Sequence, residues 1–207
     1  MLALFDIEKW LESGGLALLA AIVFAESGLL IGFFLPGDSL LFIAGFLASN
    51  AGGEVLPPLP FVAAVTFAAA VAGDQVGYLL GRRMGPTLFD REESRLFNPR
   101  NVHRAQDFFD RYGAKTIVLA RFVPVVRTFA PIVAGVGKMN YRVFVTFNLL
   151  GGALWGIGIT TLGFYLGEIS WIENNIEIAL IAIVLVSVLP MAVEIIRHRR
   201  AARRLLD

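Results

Sequence analysis

The sequence predicts an all-α membrane protein, and three observations carry that prediction. Hydrophobic residues make up 57% of the 207-residue chain and the mean hydropathy is +0.70, whereas soluble domains are about 45–50% apolar. The apolar residues fall into runs that approach the length of a bilayer crossing, which needs about 20 helical residues. The basic residues concentrate in alternate loops, which sets a topology. We expect one membrane domain over residues 1–207.

The chain opens with a predicted amphipathic helix and a broken hairpin. Residues 1–13 carry apolar side chains at helical spacing, with Trp10 as an interfacial anchor. The segment 14–50 is apolar but is interrupted by Pro36 and Gly37, since proline lacks an N–H and glycine permits a turn. It fits either two tilted spans or one long re-entrant hairpin, and its short second arm favours the hairpin.

A full span and an arginine-rich segment follow. Residues 61–80 are long enough to cross a bilayer, and Gly81-Arg82-Arg83 is expected to end that span. The segment 82–111 is rich in arginine, which indicates a cytoplasmic location. Within it, Asn98 and Pro99 form an N-cap followed by a helix-starting proline, so a second amphipathic surface helix is predicted there.

The segment Lys115–Lys138 has two arginines inside an apolar run. Arg121 and Arg127 lie near its middle, and Pro124 and Pro131 interrupt it. A bilayer-central charge costs about 2.5–3.5 kcal/mol on insertion scales, so such arginines need an anion or water beside them. The segment is too short for two crossings and is basic at both ends. We therefore predict a second re-entrant hairpin that enters from the cytoplasm.

The last third of the chain supplies two more spans. Residues 141–167 form a glycine-rich span of the kind that allows close helix packing. A further transmembrane helix is expected at about 174–197, followed by a basic cytoplasmic tail, 197–207. The loops 50–60 and 168–177 contain no lysine or arginine, so they are placed outside.

The order of these elements predicts an inverted repeat. Amphipathic helix, hairpin and span occur once over about 1–82, entering from outside, and again over about 98–167, entering from the cytoplasm. The helix at 174–197 is an addition to the repeat. Inverted repeats are typical of secondary transporters, which bind their substrates near the midplane where helices are broken.

Five ionisable residues lie within the apolar segments: Glu26, Asp38, Asp74, Arg121 and Arg127. Buried charges must pair or line a polar cavity. If the two hairpin tips meet near the midplane, Glu26 and Asp38 face Arg121 and Arg127. Asp74 is expected either to support this site or to join two helices as a hydrogen-bond acceptor. The hydroxyls nearest to the charged residues in sequence are those of Ser39 and Thr128, and they are candidate supporting groups.

The pairing of arginines with acids suggests an anion site. A guanidinium donates two parallel hydrogen bonds to phosphate and stays charged. Glu26 or Asp38 would neutralise the empty site, and an arriving phosphate would favour proton uptake by these carboxylates through repulsion and desolvation. A simpler alternative is that Arg121 and Arg127 only form salt bridges with the acids and hold the hairpins together.

The same residues carry a resemblance to a known family. The chain resembles the DedA family, whose domain is also called the SNARE-associated Golgi or VTT domain, over about residues 15–170. The family often has a second proline two residues before the proline of its Pro-Gly-Asp motif. This chain has Phe34 at that position. The matching residues are Glu26, Pro36-Gly37-Asp38, Gly73-Asp74, Gly77-Tyr78, Gly81-Arg82, Arg121-Phe-x-Pro124-x-x-Arg127, Pro131, Gly135, Asn148, Gly151 and Trp155.

The resemblance implies a fold, a location and an activity. It implies paired re-entrant hairpins in a multi-pass protein of the bacterial cytoplasmic membrane. It also implies flipping of a polyprenyl phosphate, such as undecaprenyl phosphate, or of a phospholipid, linked to the proton-motive force. In the family, the acids matching Glu26 and Asp38 and the arginines matching Arg121 and Arg127 are the functional residues.

Other functional classes fit the sequence less well. The chain has no cysteine, no histidine near the apolar acids, no clustered metal ligands and no phosphate-binding P-loop motif. We therefore expect no enzyme activity, no cofactor and no metal. The expected partners are an anionic lipid, protons and the membrane, without nucleic acid; a homo-oligomer is compatible with the pattern. A passive scramblase or membrane-homeostasis protein and a small-anion transporter stay open as alternatives.

Overall fold

Every regular element in the described part of the chain is a helix. The structure, a computed structural model, describes residues 2–28, 37–50, 52–53, 55–89, 109 and 111–169. A π-helical turn, Ala153–Ile157, separates the last two α-helices. The α-helices are α1 Leu2–Gly28, α2 Gly37–Leu47, α3 Leu59–Phe89, α4 Lys115–Ala120, α5 Pro124–Val136, α6 Tyr141–Gly152 and α7 Gly158–Gly167. The all-α prediction is confirmed over these residues.

Several predicted features lie outside the described residues. They are Pro36, the start of the second surface helix at Asn98-Pro99, the span at 174–197 and the basic tail 197–207. They stay predictions.

Gly15 divides α1 into two parts. Its φ is 55° and its ψ is −148°, a left-handed conformation that glycine adopts without a steric penalty. The break falls next to the predicted boundary between the amphipathic helix and the first hairpin. The chain therefore changes direction before the part of α1 that leads to Glu26.

Within the described residues, two helical stretches are long and apolar enough to cross a membrane, Leu59–Arg83 and Tyr141–Gly167. The first belongs to α3, which continues to Phe89. The apolar span thus ends at Gly81-Arg82-Arg83 as expected, whereas the helix itself does not end there. Gly81 lies against the backbone carbonyl of Ile132 in α5, so its missing side chain serves helix packing rather than helix termination.

The first helix pair, α1 and α2, meets α3 at its middle and at its start. Gly28, the last residue of α1, touches the backbone of Gly73 at the middle of α3. After α2, the Leu56 N–H donates to the Leu47 carbonyl at 3.2 Å, which brings the end of α2 to the start of α3. Leu19, Leu41 and the residues packed with them form the apolar core around this helix pair.

The second helix pair, α4 and α5, occupies the Lys115–Lys138 segment. A turn over residues 121–123 separates the helices, and Pro124 is the first residue of α5, where its missing N–H costs nothing. Pro131 lies inside α5, so it is not a hairpin break as predicted. A proline inside a helix removes one hydrogen bond, and the Pro131 ring lies beside the side-chain-free Gly77.

The second helix of each pair packs closely, through glycines, on a helix outside its own pair. α2 packs on α7, and α5 packs on α3. In each contact, both helices contribute a glycine, and each glycine faces a backbone carbonyl of the other helix. The pairs are Gly45 with Thr160 and Gly163 with Phe42 in one contact, and Gly135 with Tyr78 and Gly81 with Ile132 in the other.

Hydrogen bonds close the two ends of this assembly. At one end, the Asn50 backbone N–H and side-chain amide donate to the Glu168 carboxylate at 3.0 and 2.9 Å. At the other end, the Tyr78 hydroxyl donates to the Met139 carbonyl at 2.6 Å. The five charged residues of the apolar segments lie between these ends.

Candidate functional site

Arg127 joins the second helix pair to both acids of the first. Its Nη1 donates to Asp38 Oδ1 at 2.7 Å, and its Nη2 donates to Glu26 Oε1. Glu26 comes near the end of α1 and Asp38 lies in the first turn of α2. The Arg127 fork therefore spans the gap between the two arms of the first helix pair.

Gly37 fixes the position of the Glu26 carboxylate. The Gly37 N–H donates to Glu26 Oε1 at 3.1 Å, because an N–H at a helix N-terminus has no partner within the helix and can bind an anion. A Cβ at position 37 would overlap the Glu26 carboxylate. Glycine is thus required here by the close approach of the acid, and Glu26 has 0% of its surface exposed.

Trp155 contacts both members of the Arg127–Asp38 ion pair. Its indole N–H donates to Asp38 Oδ1 at 2.6 Å. The Arg127 guanidinium lies over its ring, with 4.9 Å between the guanidinium carbon and the ring centroid, within the range of a cation–π interaction. Trp155 belongs to the π-helical turn, an element that occurs frequently at functional sites.

Arg121 has a different set of partners. Its Nη2 donates to Asp74 Oδ2 at 2.6 Å and to Asn148 Oδ1 at 2.5 Å. Asn148 in turn donates through Nδ2 to the Val71 carbonyl at 3.2 Å. Gly151, one helical turn beyond Asn148, leaves room for the Arg121 side chain. Arg121 is therefore held by the two long helices.

The predicted pairing of two acids with two arginines is right only for Arg127. Glu26 and Asp38 both meet Arg127, whereas Arg121 meets Asp74. Asp74 is thus the counter-charge of an arginine as well as a link between helices. Ser39 is buried beside Asp38 in α2, and Thr128 is buried beside Arg127 in α5.

Asn148 and Trp155 hold the charged residues, although the sequence alone assigned neither of them a role. Asn148 is a fully buried amide within an apolar span, and that isolation is a usable signal, since buried amides are nearly always bonded. The sequence around Trp155 contains no comparable signal of a role at the site. Its contact with Asp38 joins distant parts of the chain.

Several buried polar atoms at this site lack a hydrogen-bond partner within the described residues. They are Arg121 Nε, Arg127 Nε, Glu26 Oε2 and Gln75 Oε1. Such atoms cost about 1–3 kcal/mol each when left unpaired. The two Nε–H groups are donors that could bind an anion, whereas the two oxygens are acceptors. Within the same residues, no group of three acids, histidines or cysteines is arranged to hold a metal ion.

The comparison with known proteins decides the family. A model of the VTT domain matches residues 35–165, a range that contains Asp38, Asp74, Arg121 and Arg127. The chain is 44% identical over 188 residues to the protein DedA of Escherichia coli K12, covering 91% of this chain and 85% of that protein. The chain belongs to the DedA family.

Other DedA-family relatives are named only as membrane proteins. An uncharacterized membrane protein of Mycobacterium tuberculosis H37Rv is 42% identical over 206 residues, which cover 97% of this chain and 89% of the relative. One of Mycobacterium leprae is 45% identical over 169 residues, with 82% and 74% covered. These names describe membrane proteins and no enzymatic activity. No solved structure matches the chain.

Proposed function

We propose that this DedA-family protein moves a lipid phosphate across the bacterial cytoplasmic membrane, with proton movement coupled to transport. The observation that carries the proposal is the position of Arg127 between Glu26 and Asp38. A guanidinium that binds two carboxylates also has the geometry to bind phosphate oxygens. The substrate is a polyprenyl phosphate, such as undecaprenyl phosphate, or a phospholipid.

Re-entrant helix pairs are part of this proposal. Support comes from the path of the first pair, which reaches Gly73 at mid-length of α3 and returns to Leu56. The second pair behaves similarly from the other end: Arg121 meets Asp74 at mid-length of α3, and Gly135 meets Tyr78 nearer its far end. The charged residues of both pairs then lie within the bilayer, where they meet.

An inverted repeat would place the two pairs in this way. The glycine contacts support it, because each partner is offset equally in the two halves. From Phe42 to Gly45 and from Ile132 to Gly135 is one helical turn, and the same spacing separates Thr160 from Gly163 and Tyr78 from Gly81. In secondary transporters, movement between inverted repeats opens a midplane site to one side at a time.

The ion pairs suggest how a proton is coupled to the phosphate. In the structure, both carboxylates bind Arg127. A phosphate that binds Arg127 displaces a carboxylate, and a displaced acid in a low-dielectric site is most stable when it takes up a proton. The unpartnered Nε atoms of Arg121 and Arg127 give the phosphate further donors during this exchange.

The orientation follows from the charge pattern. We place Asn50 and Glu168 at the outer surface and Lys138 at the cytoplasmic surface, with the C-terminus inside. The hydrogen bonds between Asn50 and Glu168 support a common side for the two loops that contain them.

The test is transport by purified protein in liposomes. A fluorescent short-chain polyprenyl phosphate is added to one leaflet, and its redistribution is followed with and without an imposed pH gradient. We expect accumulation that depends on the gradient and disappears in Arg127→Leu. Redistribution that ignores the gradient would indicate a passive scramblase, and transport of free phosphate in preference to the lipid would indicate a small-anion transporter. Either result contradicts the proposal.

A further inference from the structure

Two donors of different chemistry converge on one oxygen of Asp38. Arg127 Nη1 lies 2.7 Å from Asp38 Oδ1, and Trp155 Nε1 lies 2.6 Å from the same atom. The Trp155 ring also faces the Arg127 guanidinium, which fixes both donors relative to each other. The position of Oδ1 is therefore a preformed place for an anionic oxygen.

Asp38 occupies the open side of this ion-pair group. Its side chain is 29% exposed, whereas that of Glu26 is 1% exposed. Glu26 also accepts a hydrogen bond from the Gly37 N–H. A ligand that reaches Arg127 can therefore approach by way of Asp38, and the Asp38 carboxylate is the group that it must displace.

We propose that Trp155 is a binding residue of the lipid-phosphate site and that Asp38 is a tethered occupant of that site. When the phosphate binds, one of its oxygens takes the place of Asp38 Oδ1 and accepts from both Arg127 Nη1 and Trp155 Nε1. Asp38 then moves away from the two donors. This inference rests on the proposed function, and it assigns Trp155 a direct contact with the ligand.

The proposal predicts a dependence of the Trp155 effect on Asp38. In the wild type, Trp155→Phe removes a hydrogen bond from the free state and from the bound state, so the affinity changes little. In the Asp38→Asn background, the indole N–H exchanges a neutral amide oxygen for a charged phosphate oxygen, and binding gains the difference between the two hydrogen bonds. There, Trp155→Phe weakens binding by about fivefold, the factor that separates a hydrogen bond to a charged acceptor from one to a neutral acceptor.

The experiment measures binding of a short-chain polyprenyl phosphate to the purified full-length protein in detergent micelles, by calorimetry. The variants are Trp155→Phe, Asp38→Asn and their combination. Phenylalanine keeps the ring, so a purely structural role of Trp155 is preserved. Glu26→Gln, alone and with Trp155→Phe, is the matched control, because it removes one carboxylate charge from Arg127 but leaves Asp38 on the two donors. Inorganic phosphate is titrated as a second probe to separate head-group binding from tail binding.

We expect Asp38→Asn to tighten binding and Trp155→Phe to weaken it markedly only in that background. An equal, small effect of Trp155→Phe in all backgrounds would overturn the inference. So would tighter binding by Trp155→Phe alone with no effect in Asp38→Asn, since Trp155 would then only hold Asp38. Absence of binding by both the wild type and Asp38→Asn would overturn the proposed function itself. Inorganic phosphate is expected to show the same Trp155 dependence at lower affinity, and loss of that dependence counts against the shared phosphate position.

A spectroscopic measurement keeps the inference testable if Asp38→Asn fails to fold. Replacing Trp10 and Trp171 by phenylalanine leaves Trp155 as the sole tryptophan of the chain. We expect its emission to shift when the polyprenyl phosphate is added and to stay unchanged with the uncharged polyprenol. Equal responses to both lipids would contradict a contact between Trp155 and the phosphate.

Discussion

Arg121 donates to Asp74 across 2.6 Å, and this contact ties the turn between α4 and α5 to the middle of α3. Arg127, on the same helix pair, is bound instead by the acids of the first pair. The two arginines therefore connect to different parts of the protein. Relative movement of the two helix pairs would break the contacts of Arg127 and could leave those of Arg121 intact.

Loss of Asp74 is expected to destabilise the protein strongly. Asp74→Ala leaves Arg121 buried without a counter-charge, and removing one member of a buried pair costs about 3–5 kcal/mol. Asp74→Asn keeps an oxygen acceptor and should lose less. Melting temperatures of the purified variants measure the effect. The double variant Asp74→Ala/Arg121→Leu should recover part of the loss, and an unchanged melting temperature for Asp74→Ala would contradict the contact.

The two arginines should differ in their tolerance of lysine. Arg121 serves Asp74 and Asn148 through a single nitrogen, Nη2, which a lysine ammonium can imitate. Arg127 uses Nη1 for Asp38 and Nη2 for Glu26, a fork that lysine lacks. We expect Arg127→Lys to lower the proposed lipid transport by about tenfold or more, the cost of one charged hydrogen bond, with a smaller loss in Arg121→Lys. Liposome transport rates at matched protein levels test this, and the reverse order would refute it.

The close contact between α2 and α7 should be sensitive to a single methyl group. A Cβ on Gly45 would collide with the Thr160 carbonyl, and overpacking of this kind costs about 1–3 kcal/mol. Gly158, also helical, has open space where its Cβ would be. Gly45→Ala should therefore lower the melting temperature, whereas Gly158→Ala should leave it unchanged or raise it, since alanine favours helix by about 1 kcal/mol. Equal shifts would argue against the contact.

The proposed orientation can be tested with single cysteines, because the natural chain has none. Glu168 and Lys138 are both exposed but lie on opposite sides in our proposal. A membrane-impermeant thiol reagent should label Glu168→Cys in intact cells. It should label Lys138→Cys only after the cells are permeabilised. Labelling of Lys138→Cys in intact cells would reverse the orientation.

Periodicity and charge cost predicted the helices and the residues that must pair, but they could not predict the partners. Hydrophobic runs located α3 and the long stretch that begins at Tyr141, and the cost of buried charge singled out Arg121 and Arg127. Which acid meets which arginine depends on helix rotation and depth, and neither leaves a local pattern in the sequence. Asp74 illustrates this: its distance along the chain from Arg121 carries no sign of their contact.

Proline and glycine were the least reliable guides to helix ends. Pro124 does begin α5, yet Pro131 lies within it, and Gly81 lies within α3. In a packed helical protein, such residues also serve close approach between helices. A single sequence does not distinguish that use from a turn until the neighbouring helix is known.

The π-helical turn at Ala153–Ile157 makes one long helix serve two partners. One extra residue in a helical turn rotates everything beyond it by about 100° relative to an uninterrupted α-helix. Before the turn, Asn148 faces Arg121; beyond it, Gly163 faces α2. Removing a single residue here, for example Leu154, would restore the rotation of an uninterrupted α-helix. Either Asn148 could then face Arg121 or Gly163 could face α2, but not both. The extra residue therefore lets one continuous helical stretch present its contact residues in two different directions.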